Sequence, residues 1–166
     1  MRKQRFKKMA AAFLTCIMMV SCFMVNVYAE SELEEIIVPS YHFTTETETE
    51  VTATSQVLVR GAYLSGGTVS LGNNGGGSIS IYGSTSAYHT CDMLYLNIYL
   101  DRSTNGSSWT NYKTWNYSKE NASSLTKSFN TTVPTGYYYR LRGYHAAKEG
   151  STKESTSTST SGKYIS

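Results

Sequence analysis

An all-β domain is what the sequence predicts, an antiparallel β-sandwich of about seven or eight strands. Three observations predict it. From Gln56 onward, apolar residues recur at every second position, the spacing of a strand with one buried face. Clusters of Gly, Asn, Ser and Thr interrupt that pattern at intervals of about eight to twelve residues, the rhythm of turns. The 166 residues include 13 Gly and 14 Tyr but only 2 Pro, and no segment carries a convincing helical period.

The chain opens on a different material. Five of its fifteen basic residues fall between Met1 and Lys8. An apolar run from Met9 to about Val27 follows, and Val27-Tyr28-Ala29 then offers the small or medium residues a signal peptidase reads. Residues 1–29 are therefore expected to be a signal peptide cleaved after Ala29, and the protein to be secreted, with no membrane association after cleavage. Two alternatives stand beside this one. The run approaches the roughly 20 apolar residues that span a bilayer, so it can instead be retained as an anchor. Cys22, preceded by Met19-Val20-Ser21, is a candidate for lipidation, although Met19 stands where Leu is usual and Phe23 to Val27 stay apolar.

Without the leader, ten basic side chains face twelve acidic ones, a net of −2, which argues against nucleic acid as a partner. Only Cys91 remains of the three cysteines. An internal disulfide is then excluded, zinc-finger spacing is missing, and neither a metal nor another cofactor is expected.

Residues 30–55 hold seven acids and no base, with Thr alternating with Glu from Thr45 to Glu50. Like charges at close spacing repel, and little apolar surface offsets chain entropy, so this segment reads as a flexible acidic arm. The Glu-Thr alternation can also pair as a polar edge strand, although no apolar face anchors it. Ile36-Ile37-Val38 is its one patch able to dock or add a strand. Residues 56–166 carry ten bases and five acids, so the arm can lie on its own domain or on a neighbour's.

Within the domain the strands are expected in order. Gln56 to Leu64 is the first, and Val69 with Leu71 marks the second. Asn73-Asn74-Gly75-Gly76-Gly77 is a hairpin turn, since Asn and Gly tolerate positive φ. It lacks the Lys and helix of a phosphate loop. Ile79 and Ile81 mark the third strand. The fourth places Leu94, Leu96, Ile98 and Leu100 on one face and Met93, Tyr95, Asn97, Tyr99 and Asp101 on the other. A turn at Ser103-Thr104-Asn105-Gly106 leads to Trp109–Tyr117. A short helical turn at 118–122 precedes Leu125–Val133, and Tyr137–His145 is the seventh strand. Ser155–Ser161, polar but β-branched at alternate positions, is either a polar edge strand or a flexible end, and the strand is preferred. Trp115 is expected in the core and Trp109 at a loop edge.

Val133-Pro134-Thr135-Gly136-Tyr137 is a Pro-x-Gly turn followed by Tyr. It resembles the approach to the penultimate strand of immunoglobulin-like and fibronectin-type domains, where a tyrosine hydroxyl bonds back to backbone, with Tyr137 the candidate corner residue. The chain also resembles a group of small secreted proteins from Gram-positive bacteria, classed as a domain of unknown function. Arg60-Gly61-Ala62-Tyr63-Leu64, Tyr82-Gly83-Ser84-Thr85, Tyr99-Leu100-Asp101-Arg102, Gly136-Tyr137-Tyr138-Tyr139-Arg140 and Gly143-Tyr144-His145 carry that resemblance. It extends over most of residues 57–166, leaving out the acidic arm and the Ser/Thr-rich tail. It implies an extracellular β domain and brings no activity or catalytic residue.

Three constellations are candidates for chemistry. His89 and Cys91 lie two apart on a strand, near enough for a thiolate–imidazole pair, yet a small buried residue explains Cys91 equally well. His145 and Asp92 meet if their strands are antiparallel neighbours, forming a structural hydrogen bond or half of a triad. Tyr138, Arg140, Arg142 and Tyr144 share one outward face, and Tyr95, Asn97 and Tyr99 share another. Side by side, the two rows make a surface suited to sugar rings, anionic glycans or peptide, or else simply stabilise an exposed sheet. Four Asn-x-Ser/Thr sequons (Asn105, Asn116, Asn121, Asn130) are expected to be inert. The sequence thus predicts a secreted, non-catalytic recognition or adhesion domain whose partner is a cell-wall glycan or an extracellular protein. The alternatives are a bacteriocin-like toxin and a small hydrolase.

Overall fold

The computed structural model describes residues 33–57 and 62–166. The expected signal peptide and its cleavage point at Ala29 lie outside the described residues. Nine strands form one mixed, curled sheet: β1 (Glu34–Ile37), β2 (Ser40–Glu46), β3 (Glu50–Val57), β4 (Leu64–Gly75), β5 (Ser78–Ser103), β6 (Thr110–Thr132), β7 (Tyr137–Glu149), β8 (Thr152–Ser159) and β9 (Lys163–Ile165). Their order is β1-β8-β7-β5-β4-β3-β2, with β6 on β5 and β9 on β7. All pairs are antiparallel except β1 with β8. The class is all-β, as expected. Instead of separate antiparallel layers, the described chain forms one continuous sheet with a parallel pair at its end.

The curl originates in β5. At about 3.3 Å per residue, 26 residues would run roughly 85 Å if straight, far longer than a small domain. β6 pairs along one edge for nearly its whole length, so β4 and β7 share the other edge, β4 on residues 78–87 and β7 on 93–103. Between Ser86 and Cys91 the β5–β6 register shifts. Before that irregularity the buried row is Ile79, Ile81 and Thr85; after it the row is Leu94, Leu96, Ile98 and Leu100. The inward parity changes from odd to even, as an irregularity of this kind allows. The two halves of β5 then face each other: a Cβ on Gly83 would meet Ile98 Cδ1 at 2.7 Å. The expected third and fourth strands are therefore one strand. The fifth and sixth are also one, and Asn121, with φ of 47°, bends β6 where a helical turn was expected.

The acidic segment is part of this sheet, not a free arm. Val51, Ala53, Ser55 and Val57 alternate inward along β3 and are buried. Small and β-branched side chains suffice because β4 and β8 pack beside them. Three of its acids find partners: Glu35 pairs with Lys153 at 2.8 Å, Glu46 with Lys163 at 3.6 Å, and Glu50 accepts from Ser70. Of the strand expected over residues 56–64, Gln56 and Val57 end β3 and Leu64 opens β4, its antiparallel neighbour, while residues 58–61 lie outside the described residues.

The Ser/Thr-rich tail is strand, as expected, but not an edge: β8 lies between β7 and β1, and its inward row is buried. Glu154 accepts the backbone N–H groups of Ala62, Tyr63 and Leu64 at 2.8, 3.0 and 2.8 Å. Thr156 bonds the hydroxyls of Ser40 and Ser55, both at 2.8 Å. Thr160 Oγ1 accepts Leu141 N–H at 2.9 Å. Among the described residues no buried side-chain polar atom lacks a partner, so this seam avoids the cost of orphaned groups.

β4 and β7 meet where Gly67 and Gly143 flank the His145 ring. A Cβ at Gly67 would overlap the ring, and one at Gly143 would lie 2.5 Å from Nε2 and 2.7 Å from Val69 Cγ1. Only glycine leaves that gap. Gly67→Ala is expected to lower stability by about 1–3 kcal/mol through overpacking. The urea midpoint at neutral pH measures this, and an unchanged midpoint would contradict the packing described.

Candidate functional site

The register of β5 against β7 builds the outer face. Asn97 lies opposite Tyr144, Tyr99 opposite Arg142, Asp101 opposite Arg140 and Ser103 opposite Tyr138, while Tyr95 pairs with Ala146. In a pleated sheet such partners share a face. The structure therefore brings together all seven residues expected to form the surface: Tyr95, Asn97, Tyr99, Tyr138, Arg140, Arg142 and Tyr144. Each is partly exposed.

Sequence reasoning did not single out the residue at the centre of this face. Asp101 is 2% exposed. Its carboxylate accepts from Arg142 through Nε at 2.7 Å and Nη2 at 3.1 Å, and from Arg140 Nε at 3.1 Å. Burial alone would raise its pKa, but the hydrogen bonds from Arg142 and Arg140 outweigh that and hold the carboxyl below its usual range. The signal was present: Asp101 extends the outward row of Tyr95, Asn97 and Tyr99, facing two arginines. The guanidinium groups lie over aromatic rings, Arg142 at 5.0 Å from Tyr99 and Arg140 at 4.6 Å from Trp109. Trp109 is at a loop edge, as expected, while Trp115 is only partly buried, packing on Phe129 with centroids 5.1 Å apart.

The acidic segment reaches the same face. Tyr144 Oη donates to Glu35 at 2.6 Å, and Lys153 lies 5.8 Å from the Tyr144 ring and 5.9 Å from that of Tyr95. Lys153 and Tyr144 together hold the Glu35 carboxyl below its usual pKa. Beside this contact lies a hollow of about 480 Å³. Arg142, Gly143 and Tyr144 of β7 border it, with Tyr99 of β5 on one side and Ser157, Thr158 and Ser159 of β8 on the other. His42 of β2 closes it. The hollow exists because β1 leaves β8 after Ser155, and the small Ser157 and Ser159 stand next to the large Tyr144 and Arg142.

The other constellations do not assemble. His145 points into the core, where its Nδ1 meets Thr85 Oγ1 at 3.1 Å and its Nε2 meets Thr158 Oγ1 at 2.9 Å. Asp92 is exposed and accepts the Gly150 N–H instead. No His145–Asp92 pair forms. His89 is exposed, donates from Nδ1 to Thr90 O and packs edge-on to Tyr63. The buried Cys91 thiol donates to His89 O and not to its ring. Burial, reinforced by Glu149, Glu154 and Asp92, pushes that thiol's pKa up, the opposite of an activated nucleophile. The corner hydroxyl belongs to Tyr139, which donates to Pro134 O at 2.8 Å, and not to Tyr137. Among the described residues no three His, Cys, Asp or Glu side chains converge as metal ligands would.

A curled sheet that buries His145 and displays a charged aromatic face defines a small all-β domain. The chain belongs to DUF6147, a family of unknown function that matches residues 30–163. That match includes the acidic segment and nearly all of the Ser/Thr-rich tail, both outside the resemblance seen in the sequence. No curated protein matches the chain.

Burial lowers the His145 pKa from 6.5 to about 4. The folded form holds the ring neutral, whereas the unfolded chain protonates it below pH 6.5. Stability is therefore complete above pH 6.5 and falls as pH drops to about 4, by a total on the order of 3 kcal/mol. Urea unfolding at intervals across that range should show this slope, and a flat profile would remove the buried neutral imidazole. Cys91 is expected to react with a thiol reagent only as fast as the protein opens, so that adding denaturant accelerates labelling by orders of magnitude. Labelling of the native protein at the rate of free cysteine would contradict its burial.

Proposed function

We propose that the chain is exported and acts outside the cell as a non-catalytic recognition domain whose outer β5–β7 face binds a cell-wall glycan. The observation that carries this reading is the contiguous face of Tyr95, Asn97, Tyr99, Tyr138, Arg140, Arg142 and Tyr144. Tyrosine rings offer apolar planes for sugar C–H faces, while the Asn97 amide and the guanidinium edges supply donors and an acceptor for hydroxyls. Asp101 fixes both arginines before a ligand arrives, so less side-chain entropy is lost on binding. In this reading the facing halves of β5 work as an immunoglobulin-like sandwich does, a rigid scaffold behind one display surface. The cationic, interrupted apolar leader supports export.

Purified protein on a cell-wall glycan array is expected to bind a subset of polymers. Tyr138→Ala should weaken the binding by about tenfold, consistent with the loss of one well-placed aromatic contact. Tyr138 stacks on Tyr164 with centroids 5.0 Å apart at the rim, so its removal leaves the core intact. Absence of binding across the array, or binding indifferent to Tyr138, would overturn the proposal.

A further inference from the structure

The hollow beside Arg142 has a chemistry of its own. We infer that it is an oxyanion subsite, selecting a glycan that carries a carboxylate or phosphate over a neutral one. The inference rests on the reading of the outer face as a glycan surface and names the ligand class that surface prefers.

Four observations carry it. The first is charge. By alternation along β5 to β8 the face presents Arg140, Arg142, Lys148 and Lys153, while the acids placed on it are Asp101, Glu35 and, at the far end beside Met93, Glu120. One positive charge is left over, and beside the hollow it comes from two arginines sharing the single carboxylate of Asp101. A surface with low-dielectric sheet beneath it focuses such a charge on its concavity.

The second is the donor set. Arg142 spends Nε and Nη2 on Asp101, and among the described residues its Nη1 bonds nothing, so one edge of the guanidinium is unused at the hollow it borders. A guanidinium fixed by one carboxylate can take a second oxyanion with little reorganisation. Ser157 and Ser159 on the neighbouring strand add hydroxyl donors, and both are exposed. The His42 ring on the far wall adds a nitrogen, its Nε2 already held by Ser40 Oγ at 2.9 Å.

The third is that the chain demonstrates the preference on itself. Two residues along β7 from Arg142, Tyr144, together with Lys153 of β8, receives the Glu35 carboxylate at 2.6 and 2.8 Å. A tyrosine hydroxyl and a cation, side by side on this face, already hold one carboxylate, and Tyr144 also borders the hollow. The fourth is size: about 480 Å³ lies within the range of small-ligand sites, roughly 300–1,000 Å³. It admits a charged sugar or polyol unit, with Tyr99 as a ring to lie against.

Isothermal titration of purified protein tests this with three oligomers of matched length: a uronic acid, a glycerol phosphate and neutral glucose. At least one acidic oligomer should bind about tenfold more tightly than the glucose oligomer, and its advantage should shrink as salt rises from 0.05 to 0.5 M, expected for screened charge. Which acid wins distinguishes carboxylate from phosphate. Ser157→Leu fills the hollow from an exposed position and His42→Ala removes its far wall. Each should abolish the acidic preference while leaving glucose binding and the unfolding midpoint unchanged. Equal binding of acidic and neutral oligomers, or a preference indifferent to Ser157→Leu, overturns the subsite and leaves the glycan face standing. If none of the three binds, the subsite falls, and the face stands or falls with the glycan array.

Discussion

Everything in this fold depends on a single strand serving two layers. β5 runs from Ser78 to Ser103, and its length cannot be accommodated without a fold near residues 87–90. That fold sets Gly83 against Ile98 and gives β4 and β7 successive stretches of one edge. It thereby encloses Leu71, Ile81, Leu96 and Leu141, all fully buried. Each such side chain contributes about 1.5–3 kcal/mol. The outer face is the reverse of the same arrangement: with one side of β5 and β7 committed to the core, Tyr95, Asn97, Tyr99, Arg140 and Arg142 have only the other side to occupy.

Much of this was legible as a period of two. Leu94, Leu96, Ile98 and Leu100 announced an inward row, and its complement supplied the candidate surface before any strand pairing was known. Register was the missing quantity. A pattern of alternation places residues on faces but does not say which strand lies beside which, so Asp101 looked like the end of a row and not the anchor of two arginines. Nor does alternation choose between equivalent positions. Tyr137 and Tyr139 share a face, and only the path of the turn decides that the Tyr139 hydroxyl reaches Pro134. His145 has the inward parity of Tyr139 and Leu141, and Asp92 that of Leu94, so alternation alone left that pair open; the register sets His145 opposite Leu96 and not Asp92.

The acidic segment misled for a physical reason. Charge density and scarce large apolar residues describe a chain that cannot form a core alone, and residues 34–57 do not. They complete a core made by others. Val51 and Ala53 need only shallow positions against β4, and the carboxylates of Glu35 and Glu46 meet Lys153 and Lys163. The tail posed the converse difficulty: Thr156 and Thr158 are interior because Ser40, Ser55 and His145 supply partners that no local reading could foresee.

β1 and β2 are separated in the chain by Val38 and Pro39 alone, yet they stand at opposite ends of the strand order. The short link works like a buckle drawn between the two rims of the curl. Its tongue, β1, hydrogen-bonds to residues 152–155, more than a hundred positions downstream. A nascent chain reaches Glu34 long before Thr152 exists, so the first of the described strands cannot pair with β8 until nearly all the others have followed it. Closure is thus coupled to completion, and a chain cut short before β8 leaves the buckle undone.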